Sequence, residues 1–283
     1  MTRATFFSRL LPKRFRSSVP TVTVVRLSGT IGLGTPLRPA LTLQGVNDAL
    51  ERAFRRKGIA AVALVVNSPG GSAAQSSLIA SRIRRLADQH KVKTLAFVED
   101  IAASGGYWLS VAADEIYADK SSIVGSIGVV AATFGFVEAM KKVGVDRRVY
   151  TAGKNKVILD PFLPEKPEDV KRLQELQGDV HETFKQAVRD SRGLRLKESE
   201  DLFSGAFWSG GRALELGLVD GLGEMHAVLK QKFGDKTEII EIPKPGLWLQ
   251  RRLGGFSAEA GANIAAGIMD EMEVRALWAR FGL

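Results

Sequence analysis

Apolar positions along the chain switch between two periods. Residues 21–32 (TVTVVRLSGTIG) form a β-branched run closed by glycine, which predicts a strand. Residues 42–57 place Val46, Leu50, Ala53 and Phe54 on one helical face. Ile59–Val66 (IAAVALVV) is continuously apolar, the mark of a strand covered on both faces, and it runs into Asn67-Ser68-Pro69-Gly70-Gly71. A helix over about 74–89, a strand over Lys93–Val98, a small-residue helix from the Ala102–Gly106 segment through Ala113, and a short strand at Glu115–Ala118 follow. Strand and helix in alternation predict parallel βαβ units in one α/β domain.

Beyond this core, 121–130 (SSIVGSIGVV) reads as a strand lying close to other backbone, 136–143 as a helix and 147–150 as a strand. Residues 152–167 form a loop punctuated by Pro161, Pro164 and Pro167. A long helix over about 168–192 has proline at its start and Glu168 and Asp169 in its first turn, where the helix dipole favours acids. A helix near 210–216, the turn Gly217–Gly221, a strand at 237–242 and a final amphipathic helix with Met269, Met272, Leu277, Trp278 and Phe281 complete the chain. The expected division is a basic arm (1–20), a main domain (21–232) and a C-terminal strand with a helical tail (233–283).

Charge changes this picture at one end only. The net charge of the 283 residues is +9, but residues 1–47 hold Arg3, Arg9, Lys13, Arg14, Arg16, Arg26 and Arg38 and no acid, leaving the rest near neutral. Nucleic-acid binding would spread basic residues over a folded face, so it is not expected. Residues 1–18 group Phe6, Phe7, Leu10 and Leu11 on one side of a short basic segment. Such a segment can lie on an anionic membrane surface, imitate an organelle transit peptide, or be a solvated tail. No run is long and apolar enough to span a bilayer. The chain contains no cysteine, which excludes disulfides, thiolate metal sites and cysteine nucleophiles. The expectation is a cytoplasmic protein with peripheral contact at the inner membrane.

Three segments could carry chemistry. Gly70 and Gly71 end a buried strand, where backbone N–H groups can face the crevice of an α/β sheet and stabilise an oxyanion. The same residues serve equally in a plain turn. Ser104, in Ala-Ser-Gly-Gly-Tyr, opens a helix and is a nucleophile or simply its N-cap. Lys154 and Lys156 lie in Gly-Lys-Asn-Lys; a lysine is a general base only when neutral, which takes a fall of about three units from its reference value. None of His90, His181 and His226 lies in a glycine-rich loop with a serine and an acid, so a Ser-His-Asp triad is disfavoured, and no two share metal-ligand spacing.

In order, NSPGG, ASGGYW, SSIVGSIGV, AGKNK, DPF and LFSGAFWSGGRALELGLVDGLG resemble the motifs of the signal peptide peptidase A family, the S49 serine peptidases, over residues 22–232. The resemblance implies a Clp protease/crotonase-like fold of stacked ββα units in a single domain. It implies a Ser–Lys dyad without metal or cofactor: Ser104 as nucleophile, Lys156 rather than Lys154 as base, Ser126 orienting the lysine amine, and Gly70 and Gly71 with the nucleophile-region N–H at the oxyanion hole. It also implies peptide substrates and a cyclic homo-oligomer in which the lysine reaches a neighbour's serine. Many family members carry an N-terminal membrane span that this chain lacks, which weakens the case for signal-peptide substrates. Two other readings stay open from the residues: a crotonase-like acyl-CoA enzyme, which uses the same glycines without a Ser–Lys pair, and a non-catalytic membrane-associated scaffold.

Overall fold

The computed structural model describes residues 19–32, 40–243 and 275–283. The expected membrane arm (1–18) and the part of the tail with Met269 and Met272 lie outside them. Strands are β1 (Thr21–Ser28), β2 (Ile59–Ser68), β3 (Lys93–Ala103), β4 (Glu115–Ala118), β5 (Ile123–Gly125), β6 (Phe207–Ser209), β7 (Gly221–Leu222) and β8 (Glu238–Glu241). Helices are α1 (Leu43–Arg55), α2 (Ala73–His90), α3 (Gly105–Ser110), α4 (Val137–Val143), α5 (Pro167–Arg192), α6 (Gly210–Glu215) and α7 (Met225–Phe233). Residues 275–279 are also helical.

One sheet runs β6-β5-β3-β2-β1-β8, with β4 pairing both β3 and β7. All pairings are parallel except β5 with β6. The continuous apolar run of β2 follows from its position, because helices cover both faces. Val25, Leu27, Val62, Leu64 and Val66 face α1 and α2 in the larger core, whereas Val22, Val24, Ala63, Val65 and Phe97 pack with Val228 and Leu229 of α7. Residues of alternate parity go to opposite faces, as the pleat requires. Two helix starts carry side-chain caps: Thr42 Oγ1 accepts from Gly45 N at 3.1 Å, and Ser72 Oγ accepts from Gln75 N at 3.4 Å.

β3 changes partners along its length. Leu95–Val98 pair with β4, and Ile101–Ala103 pair with β5. Between them Glu99 and Asp100 are exposed, and the register against β2 shifts between Val66 and Ser68. The strand expected over Lys93–Val98 is therefore longer, because these two acids interrupt its apolar pattern without ending it. In the fold the chain continues to Ala103 and delivers Ser104 past the shared edge. Other expectations also change. Residues 147–150 form no strand, residues 121–130 contribute only the three-residue β5, and β6 and α7 were not foreseen. β6 is short and antiparallel, held by Phe207–Ser209 pairing to β5 rather than by any pattern of its own.

A buried ionic cluster braces α3. Arg192, with a fully buried side chain, donates from Nη1 and Nη2 to Asp220 at 2.7 and 3.0 Å and from Nε to the Gly217 carbonyl at 2.9 Å. Asp220 also accepts from Ile116 N at 2.7 Å and from Arg195 at 2.9 Å. Tyr107 of α3, completely buried, donates to the Leu218 carbonyl at 2.7 Å. The Gly-Leu-Val-Asp sequence is therefore the knot that ties α5, β4 and α3 together. Burial pushes the Asp220 carboxyl up, but hydrogen bonds from Arg192 and the Ile116 amide hold it below the usual carboxylate range.

A lowered native pKa stabilises the fold above the unfolded value, near 3.9, and that stability is lost as pH falls through the native value. Asp220→Asn leaves the Arg192 charge buried and unpaired and should cost about 3 kcal/mol at pH 7. Urea unfolding checks this: the gap between wild type and variant should be largest near neutrality and shrink below about pH 3.9.

Candidate active site

The site is built where the ends of β2 and β3 meet. Ser104 follows β3 directly, with φ +51° and ψ −122°, a backbone conformation that residues other than glycine rarely adopt. Its N–H donates to the Gly125 carbonyl of β5 at 2.8 Å, and its carbonyl accepts from Trp108 N at 3.0 Å. The hydroxyl makes no capping bond to α3, so the N-cap role weighed from sequence is not what holds this serine. Strain at such a position costs on the order of 1–3 kcal/mol and persists where the surroundings over-determine it. Here those surroundings are the β5 pairing on one side and Gly70 on the other.

Gly70 has φ +105°, and a Cβ there would lie 2.8 Å from Ser104 Cβ and 2.9 Å from Gly105 N. Gly71 has φ +138°, and its Cβ would lie 2.1 Å from the Ile31 carbonyl oxygen. Both positions therefore need glycine for backbone conformation and for close approach. Ile31 N donates to Gly70 O at 2.8 Å, and Ser72 N donates to Ile31 O at 2.7 Å. This parallel bridge uses the groups on either side of Gly71, which turns the Gly71 N–H away from Ile31. Gly70 N faces Ser68 Oγ at 3.2 Å. The amides of Gly71 and Gly105 donate to no described residue; Gly105 occupies the first helical position, whose N–H has no carbonyl to bond within the helix. α3 begins at Gly105, directly after Ser104, and neither α2 nor α3 has an acid in its first turn to offset its positive end.

Ser126 follows Gly125, the residue that receives the Ser104 N–H. It is 3% exposed with φ +54°, and its N–H donates to the Ala206 carbonyl at 2.7 Å. Ser104, Ser126, Gly70 and Gly71 are therefore joined through short backbone links. Lys156 stands apart. It and Lys154 are exposed on the loop before α5, with Lys156 N donating to Gly153 O at 3.2 Å. Among the described residues no hydrogen bond joins either lysine to Ser104 or Ser126. The histidines are engaged elsewhere: the His181 ring lies 3.0 Å from the Ile127 carbonyl, His226 beside Glu224 at 3.3 Å, and His90 stacks on Phe54 at 6.5 Å. The share of the work done by Ile31, which sets the Gly71 amide, was not visible in sequence, because an isolated bridge leaves no periodic trace.

Comparison with known proteins identifies the family. The family model Peptidase family S49 matches residues 86–236. A protease-named protein of Methanocaldococcus jannaschii is 36% identical over 78% of this chain and 70% of its own length. The chloroplastic serine protease SPPA of Arabidopsis thaliana is 28% identical over 89% of this chain and 39% of its own. A protein of Brucella abortus that bears the name Na(+)/H(+) antiporter NhaA is 52% identical over 97% of this chain, which spans only 39% of that longer protein. With the family model covering more than half of its residues and the archaeal relative aligned over most of both chains, the chain belongs to peptidase family S49.

Proposed function

We propose that this chain is a serine endopeptidase working through a Ser104–Lys156 dyad. The observation that carries the reading is the strained Ser104 held against Gly70 beside two open amides. The neutral Lys156 amine takes the Ser104 Oγ proton as Oγ attacks the peptide carbonyl. The N–H groups of Gly71 and Gly105 receive the oxyanion, and Gly70 keeps the two strand ends close enough for both to reach it. Lys156 then gives its proton to the departing amine, leaving an acyl-enzyme. Water, deprotonated by the same lysine, releases the acid and restores Ser104. Ser126 orients the lysine amine. No step calls for a metal or organic cofactor. The reading differs from acyl-CoA chemistry and from a scaffold in requiring Ser104 as nucleophile and Lys156 as base, which Ser104→Ala and Lys156→Ala test.

Lys156 comes from a second copy of the chain. Within one chain it is exposed and unbonded to Ser104. The segment between Ser126 and Lys156 also exposes Val130, Phe134, Val143, Val145 and Tyr150, apolar side chains that a subunit contact would cover. A contact that buries these residues in a head-to-tail ring brings the lysine to its neighbour's serine and dries the amine. The substrates are unfolded or membrane-derived peptides with small or apolar side chains. The basic residues 1–18 place the enzyme at an anionic membrane surface. The Brucella relative, named for a membrane antiporter, supports a membrane-proximal setting. Among the described residues no helix is long and apolar enough to cross a membrane.

Two outcomes are expected. Gly70→Ala, whose methyl would push on Ser104 Cβ and the Gly105 amide, should lose about 10²-fold or more in kcat on fluorogenic peptides, the scale of one misplaced oxyanion donor, with circular dichroism checking that the fold is kept. Ser104→Ala and Lys156→Ala should each be inactive, and mixing them under conditions of subunit exchange should restore activity at interfaces that pair an intact serine with an intact lysine. Demonstrated exchange without recovery would place both residues in one chain.

A further inference from the structure

The loop that carries Lys156 has no helix or strand between Gly144 and Pro167, yet it is fastened at its base. Arg147 Nη2 and Asp160 Oδ2 pair at 2.8 Å, closing a loop that contains Lys154 and Lys156. The Asp160 side chain is only 7% exposed. Its second oxygen accepts from Phe162 N at 3.0 Å, and Arg147 holds its carboxyl below the usual carboxylate range, so it stays charged at neutral and alkaline pH.

The surrounding contacts reinforce this base. The Arg147 guanidinium lies 5.2 Å over the Phe162 ring, which stacks on Phe136 at 5.4 Å, and Phe136 N donates to the Pro161 carbonyl at 2.7 Å. Leu159, next to Asp160, has φ +53°, a conformation that survives only where its neighbours fix it. The tip is tied separately: with its amide oxygen turned to the guanidinium, Asn155 lies 3.1 and 3.3 Å from Arg172 of α5.

The geometry points to Arg147 and Asp160 as positioning residues that hold Lys156 where its amine is needed, with the Asn155–Arg172 contact as the second tether. A base on a free twelve-residue arc would have to be ordered at each turnover; a loop closed by an ion pair has that entropy removed beforehand. The inference rests on the assignment of Lys156 as base, so its test carries a readout that does not depend on that assignment.

The test uses full-length Arg147→Met, Arg147→Lys and Lys156→Ala beside wild type. Arg147 is half exposed but Asp160 is nearly buried, so Arg147→Met should lower the melting temperature by a few degrees and stay folded at the assay temperature. In Arg147→Met, kcat on a fluorogenic peptide should fall about tenfold with KM unchanged, less than the 10²–10⁴ of a lost general base. Trypsin should cut after Lys154 or Lys156 several times faster in this variant. Arg147→Lys, which keeps a cation beside Asp160 and Phe162, should recover most of both properties. Wild-type kcat and wild-type cleavage in Arg147→Met, with Lys156→Ala inactive, would overturn the clasp and leave the dyad standing. An active Lys156→Ala would overturn the dyad and the positioning role with it, even if cleavage of the loop were faster.

Discussion

Everything in the site depends on two strand ends approaching until their backbones touch. Ser104 and Gly70 come so close that one extra methyl group would collide with the Ser104 side chain and the Gly105 amide. Parallel strands set this approach, because β2 and β3 run side by side to their carboxyl ends, where Ser68 lies opposite Ala102. A pleated pair alone would stop short of it. The partner change of β3 at Glu99–Asp100 lets the strand run on to Ala103, and the pairing of Ala103 with Gly125 fixes where it ends. The positive φ of Ser104 is the result of these two constraints, and the hydroxyl is displayed free of the helix it precedes.

The distant parts of the fold support that contact. Arg192 and Asp220 lie far from Ser104 in sequence, but they fix the turn that accepts the Tyr107 hydroxyl, and Tyr107 belongs to the helix that starts at Ser104. Trp108, on the next position, stacks on Phe184 of α5 with ring centres 4.6 Å apart. α5 therefore braces the nucleophile's helix with one part and, through Arg172, reaches the loop of the lysine with another. In the proposed assembly one helix coordinates a serine and a lysine that serve different sites.

Much of this was legible in the residues. The apolar run of β2 and the alternation of strand and helix up to Ala118 follow local rules, and they appear where those rules put them. Gly70, Gly71 and Ser104 stood out because few roles other than a turn or a site demand such residues at strand ends. What escaped was set by tertiary contact. The continuation of β3 through two acids, the bridge from Ile31 to Gly71 and the three-residue β6 have no periodic signature, since partners distant in sequence create them. Residues 147–150 misled for a related reason. Arg147 and Tyr150 have the composition of a strand, but Arg147 is spent on Asp160 and Phe162, and Tyr150 is exposed.

The central claim is that this architecture makes Ser104 a nucleophile with the help of a lysine. Reaction of the full-length protein with a fluorophosphonate, followed by peptide mapping, tests it most directly. The account predicts a single adduct on Ser104 that is absent from Lys156→Ala protein of unchanged fold. An adduct on another serine, or equal labelling of Ser104 without the lysine, would contradict it.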